Sequence, residues 1–238
     1  MRRQHGEIAK ATGLDVDSDR MVVSGFHLVW KGVDELRKKG VTASTPTEKA
    51  RQPIYGKATL EIDKEYITSQ EYHKKFIGIT GNNKVDEQLC KYSRGMLEHR
   101  TGTYGEDLVL LDMDTGELIA NHDTSTKGNA VTYTDELNKT IKQATKRGQR
   151  IISLHNHPEG YPPTLFDGAS ALGHGYTKGV VCGHNGEVYT FLPTTKKFTD
   201  DECKAFHNKL ALQIVHNNEV DNKWYDALYS VGMSVKKR

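Results

Sequence analysis

An apolar run at residues 150–154 leads directly into two histidines and a proline, and this order limits the folds open to the chain. The isoleucines and leucine predict a buried β-strand, which Pro158 ends because proline cannot donate a ladder hydrogen bond. His155 and His157 are two residues apart, so both imidazoles point to the same face of the strand. The sequence therefore predicts a strand that presents two imidazoles at its carboxyl end.

A third candidate ligand follows the histidines. Gly160 and two prolines shape a loop that returns Asp167 to the start of a short predicted helix. Two histidines and one carboxylate are the protein ligands of an open zinc site, which keeps its fourth position for water. A histidine at a strand end is often only a polar loop residue, and an H-x-H pair can arise by chance in a chain with 11 histidines. The preceding strand, the loop and the aspartate together favour a zinc site formed by His155, His157 and Asp167.

Strand and helix patterns alternate along the rest of the chain. Three segments have helical patterns: residues 85–96, 134–147 and 200–228. Apolar residues recur at helical spacing in the first segment, and the other two have polar caps, early acids or helical periodicity. Short apolar or alternating runs predict strands at residues 58–62, 107–112, 117–120, 178–182 and 187–191. The predicted fold class is α/β, with a mixed central β-sheet flanked by helices.

Composition excludes several classes of protein. Lys plus Arg is 33 and Asp plus Glu is 31, so the net charge of +2 gives no bulk attraction to nucleic acid. The mean hydropathy is −0.66 and no membrane span or secretory signal is expected. The three cysteines are far apart in the chain, which argues against a disulfide scaffold or a zinc ribbon and favours a reducing compartment such as the cytoplasm.

The segment from 153 to 167 resembles the signature of the JAMM (MPN+/JAB) metalloproteases, an upstream glutamate followed by H-x-H-P, a serine and an aspartate. It is most similar to the RadC-like and phage minor-head-associated branches, which share the string HNHP. The order of the surrounding strands and helices extends the similarity over residues 60–200. The resemblance implies a JAB/MPN-like fold with cytidine-deaminase-like architecture.

The resemblance also implies a role for each matching residue. His155, His157 and Asp167 match the zinc ligands of the family. Glu106 matches the general base, which takes a proton from the attacking water and returns it to the leaving amine. Thr164 stands where the family has a serine whose hydroxyl stabilises the tetrahedral oxyanion.

The chain departs from the family pattern at two points. The step from His157 to Asp167 is ten residues, where the common pattern has eleven, and Thr164 adds a methyl group to the expected hydroxyl. Asp107 and Glu117 are rival candidates for the general base, and only the resemblance selects the glutamate at position 106.

We predict four regions along the chain. Residues 1–55 form an N-terminal extension of unknown role, and residues 56–100 form a helical lead-in. Residues 101–198 form the JAMM-like metal-hydrolase core, and residues 199–238 form C-terminal helices that pack on it.

Three functions are consistent with these observations. The first is a zinc-dependent hydrolase that cuts peptide or isopeptide bonds in a protein or peptide substrate. The second is a phage virion or head-assembly module that keeps the fold without turnover, contacts other phage or host proteins and is virion-associated. The third is a secreted or injected effector, or an anti-defence protein. A nucleic-acid role has no support from the charge of +2.

Overall fold

A computed structural model of the chain describes residues 60–125, 130–217 and 222–238, except for the side chains of residues 210–217 and 222. The predicted extension over residues 1–55 lies outside these ranges. The described helices are α1 (Lys64–Thr68), α2 (Gln70–Lys74), α3 (Asn83–Arg100), α4 (Asp135–Lys146), α5 (Leu165–His174), α6 (Asp200–Asn217) and α7 (Asn222–Ser230). The described strands are β1 (Leu108–Asp112), β2 (Leu118–His122), β3 (Ile151–His157), β4 (Tyr176–Gly183), β5 (Val188–Phe191) and β6 (Val235–Lys237).

The strands form one mixed sheet in the order β2-β1-β3-β4-β5-β6. Strands β3 and β4 are parallel, and the other neighbouring pairs are antiparallel. The parallel pair needs a crossover connection, which α5 supplies. The carboxyl ends of β3 and β4 therefore lie side by side, next to the amino end of α5, a frequent position for ligand sites in α/β folds.

Helices cover both faces of the sheet. On the first face, α1, α2 and α3 bury residues such as Tyr72 and Leu89 against alternate strand residues that include Ile152 and Leu154. On the second face, residues of α4, α5, α6 and α7 pack against the intervening strand residues, which include Ile151. Every residue of β3 is buried, because both of its faces are covered.

Several predicted elements are confirmed and two predictions need correction. The predicted helix at 134–147 is α4, and Thr134 caps it by accepting a hydrogen bond from the backbone N–H of Leu137. The strand predicted at 58–62 is wrong for its described part, since residues 60–63 precede α1 without strand pairing. The sequence pattern also missed β6, a three-residue edge strand whose pairing with β5 depends on the tertiary fold.

The mixed α/β class is confirmed by the six-stranded sheet and its helices. Within the described residues, no helix is both long enough and apolar enough to span a membrane. The three cysteines are all buried and none forms a disulfide.

Candidate metal centre

The crossover from β3 to β4 brings three possible metal ligands together. His155 and His157 point to the second face at the end of β3, and Asp167 lies in the first turn of α5. One side-chain atom from each of the three lies within 4.8 Å of the others. All three predicted ligands are therefore neighbours, although nine residues of loop and helix lie between His157 and Asp167.

The spacing of the three donor atoms matches one face of a zinc tetrahedron. The two Nε2 atoms of His155 and His157 are 3.1 Å apart. Asp167 Oδ1 is 3.2 Å from Nε2 of His155, and Asp167 Oδ2 is 3.6 Å from Nε2 of His157. Zinc bonds of about 2.0–2.2 Å in tetrahedral geometry require donor–donor distances of about 3.3–3.6 Å. The donor types and their spacing fit a zinc ion held by three protein ligands.

Hydrogen bonds orient two of these ligands. Nδ1 of His157 lies 2.9 Å from the carbonyl oxygen of Tyr161, which can only accept, so Nδ1 carries a proton and Nε2 is the nitrogen that can bind a metal once it is deprotonated. Oδ2 of Asp167 accepts from the backbone N–H and the hydroxyl of Thr164, at 2.6 and 2.9 Å. The Thr164 hydroxyl therefore holds the carboxylate in place, whereas the resemblance assigned it to the oxyanion.

Glu106 reaches the same cavity from the residue pair that precedes β1. Its side chain lines the cavity with His155 and His157 and is buried. Asp107, by contrast, is engaged by Nε of Arg100 at 2.5 Å and Nδ1 of His99 at 2.6 Å. Both carboxylate oxygens of Asp107 are therefore engaged by these side chains, and the residue does not line the cavity.

The other rival carboxylate belongs to a different part of the sheet. Glu117 is exposed and directly precedes β2, whereas the metal cluster lies at the carboxyl end of β3. Its backbone carbonyl accepts from the N–H of Asp112, at the end of β1 that is remote from Leu108 and His155. Of the three candidates for the general base, only Glu106 faces the metal cluster.

Burial and charge shift the pKa values of the cluster in the metal-free protein. Burial raises the pKa of Glu106 to about 8, although His157 opposes the shift. Burial lowers the pKa of His155. Burial would also lower the pKa of His157, but the Asp167 carboxylate outweighs it and raises that pKa to about 9. Without metal, Asp167 and protonated His157 therefore form an ion pair beside a neutral Glu106.

The loop between β3 and α5 is shaped by close packing against the turn that follows β4. Gly160 has a φ of 76°, a left-handed conformation that favours glycine. A Cβ at this position would lie 2.5 Å from the side chain of Asn185. Any larger residue here would have to displace the side chain of Asn185 or shift the loop.

The metal cluster opens into a cavity of about 630 Å³ on the second face of the sheet. Its floor is formed by strand residues, and its walls come from α5, α6 and the segment before α4. Several of the lining residues are aromatic or apolar and form an aromatic wall; these are Val131, Tyr133, Tyr161, Phe166, Phe191 and Phe198. The cavity can hold a short peptide segment or a side chain beside the metal ligands.

Sequence reasoning missed several residues of this cavity. Glu159, Cys203 and His207 line it, and the last two are four residues apart on one side of α6. His174, which reads as a loop residue from sequence, ends α5 and stacks on Tyr133 with ring centroids 4.1 Å apart. No local signal in the sequence indicates these positions, because α6 lies far from the histidine pair along the chain.

Comparisons with known protein families, curated proteins and solved structures find no match for this chain. The site is therefore defined by its own geometry. It consists of two imidazoles and a carboxylate at tetrahedral spacing, with a buried second carboxylate in the same cavity.

Proposed function

We propose that this chain is a zinc-dependent hydrolase of the JAMM type that cuts peptide or isopeptide bonds in a protein or peptide substrate. The observation that carries the proposal is the convergence of His155, His157 and Asp167 at tetrahedral spacing, with Glu106 in the same cavity. Two nitrogen donors and one oxygen donor suit zinc better than magnesium, which prefers oxygen ligands. When bound, zinc supplies a nucleophile at neutral pH and polarises the substrate carbonyl.

Residues of the chain carry out proton transfer, orient the metal ligands and position the substrate. Glu106 takes the proton of the attacking water and delivers it to the leaving amine. Burial raises its pKa to about 8 in the metal-free protein, and a bound zinc ion would lower it, so that the carboxylate form is available to accept and then release a proton. Thr164 holds the Asp167 carboxylate through two hydrogen bonds, and Tyr161 fixes the tautomer of His157. The aromatic wall excludes water and positions the substrate chain.

The proposal includes a JAB/MPN-like arrangement of the mixed sheet and a cytoplasmic or virion-associated location. It rests on the order of strands and helices around the HNHP string and on the position of the ligands at the end of β3. The proposed substrate is a protein or peptide, and the proposed partners are other phage or host proteins.

The decisive experiment compares metal content and turnover in three proteins. The wild type is expected to carry about one zinc per chain and to cleave a member of a peptide and isopeptide panel. Glu106→Gln is expected to keep the zinc and to lose turnover by about 10²–10⁴-fold, because glutamine cannot take the proton. Glu117→Gln, at an exposed acid outside the cavity, is the matched control and is expected to keep both. Full turnover in Glu106→Gln would refute the assignment.

A second candidate is supported by one specific observation. Because the Thr164 hydroxyl donates to Asp167, the family's serine donor for the oxyanion is engaged elsewhere. A module that keeps the metal and the fold for assembly or binding, without turnover, would tolerate this arrangement. Wild-type protein that holds zinc but cleaves nothing across the panel would favour this second candidate over the hydrolase.

A further inference from the structure

The backbone pairing between β1 and β3 stops two residues short of Glu106. Strands β1 and β3 pair from Asp112 opposite Ile151 to Leu108 opposite His155. Glu106 precedes this ladder and lies outside any strand. Some other contact must hold the residue that faces the metal cluster.

The side chain of Asn156 supplies that contact. Its Oδ1 accepts from the backbone N–H of Asp107 at 2.8 Å, and its Nδ2 donates to the carbonyl oxygen of Gly105 at 3.0 Å. The amide therefore binds the backbone on both sides of Glu106. The two backbone groups also fix its orientation, because an N–H only donates and a carbonyl only accepts.

Asn156 is itself held by a histidine from another strand connection. Nδ1 of His184 lies 2.8 Å from the carbonyl oxygen of Leu60, so this nitrogen carries the proton and donates. Nε2 of His184 then accepts from Nδ2 of Asn156 at 3.1 Å. Asn156 has no exposed surface and His184 is 1 % exposed, so water cannot replace these bonds cheaply.

We infer that Asn156 is a positioning residue for Glu106, that His184 holds it in place, and that the pair sets the distance from the Glu106 carboxylate to the metal cluster. This inference rests on the proposed hydrolase function. His155 and His157 point to the second face of β3, whereas Asn156 between them points to the first face. The end of β3 thus carries two metal ligands on one face and, on the other face, the residue that positions Glu106.

The test measures kcat, KM and zinc content for Asn156→Ala, His184→Leu and a matched control, Ser93→Ala. Ser93 is fully buried on the same face and bonds the hydroxyl of Tyr72, away from Glu106. Asn156→Ala is expected to lower kcat by about 10- to 100-fold, since a displacement of about 1 Å can cost this much. KM and zinc content are expected to stay unchanged. His184→Leu removes the imidazole but keeps the backbone N–H that donates to the carbonyl oxygen of His157, and it is expected to lower kcat by a smaller factor.

A double-mutant cycle separates positioning from general stability. If Asn156 acts through Glu106, Asn156→Ala changes kcat by less than about twofold in the Glu106→Gln background. A loss of kcat that persists in that background would overturn the inference. So would an equal loss of kcat in Ser93→Ala at matched thermal stability.

A structural measurement keeps the test independent of activity. In zinc-loaded crystals of Asn156→Ala, or of His184→Leu if the first variant fails to fold, the Glu106 carboxylate is expected to move by about 1 Å or more. An unmoved carboxylate would overturn the inference even if the wild type shows no turnover. If the wild type shows no turnover and the carboxylate of the variant is displaced, the hydrolase proposal is refuted but the positioning role of Asn156 is supported.

Discussion

Zinc binding to the metal-free protein is expected to release between about one and two protons at pH 7, from His157 and Glu106. The pKa of His157 is about 9, so at pH 7 nearly every metal-free molecule carries a proton on this imidazole. The pKa of His155 is lowered, so this second ligand is neutral and releases none. The pKa of Glu106 is about 8, and its proton leaves as well if the zinc charge ionises it.

The cost of this proton release follows from the same values. Two pH units separate pH 7 from the pKa of His157, which is about 2.7 kcal/mol or about 100-fold in zinc affinity. Because zinc takes the deprotonated ligand, affinity falls on acidification, and the fall begins near pH 9. An unperturbed imidazole would place the same fall near pH 6.5. The contact with Asp167 therefore moves the sensitive range to higher pH.

Isothermal titration of zinc at pH 7 in buffers of different ionisation enthalpy counts the protons. The wild type is expected to release between about one and two, and Glu106→Gln about one. The difference between the two proteins reports the proton on Glu106 alone. A wild-type release near zero at pH 7 would refute the assignment of a protonated His157 and the ion pair with Asp167.

Three further outcomes are expected. His155→Ala should lose zinc by elemental analysis, and stoichiometric zinc in that variant would contradict the ligand assignment. Thr164→Val should weaken zinc affinity by about 10- to 100-fold through the freed carboxylate, whereas Thr164→Ser should retain it; equal affinity in both would refute the orienting role. In metal-free protein, Glu106→Gln should stabilise the fold more at pH 8 than at pH 5. A buried glutamate with its pKa raised to about 8 binds more protons folded than unfolded, so its contribution to stability falls as pH rises from about 4.5 to 8. An equal effect of the substitution on the melting temperature at both pH values would contradict this.

Local patterns were enough to predict the mixed α/β class and most of the elements. Period two placed both imidazoles on one face of β3, because successive side chains of a strand alternate between faces. The capped helix α4 and the neighbouring strands β1 and β2 were also predicted from sequence, since each depends on residues that are close along the chain. The strand predicted at 58–62 failed in its described part because alternation alone does not provide a partner strand.

The choice of carboxylate and its chemistry depended on the tertiary structure. Glu106 and Asp107 are adjacent in sequence and are both candidates for the general base. In the structure Asp107 is engaged in an ion pair with Arg100, which favours Glu106. The loop and crossover helix bring Asp167 onto the histidines, and burial there moves the pKa values away from their ordinary ranges.

The contacts of Asn156 show the same division between sequence and structure. Its place between the two histidines is visible in the sequence, and period two already directs its side chain to the opposite face. Its partners at residues 105 and 107 lie in the segment before β1, and its partner at residue 184 lies in the turn after β4. Sequence alone determined which residues could carry metal chemistry, because ligand type and strand period are local properties. The tertiary structure decided which of them meet, because contact distance, burial and pKa depend on segments far apart along the chain.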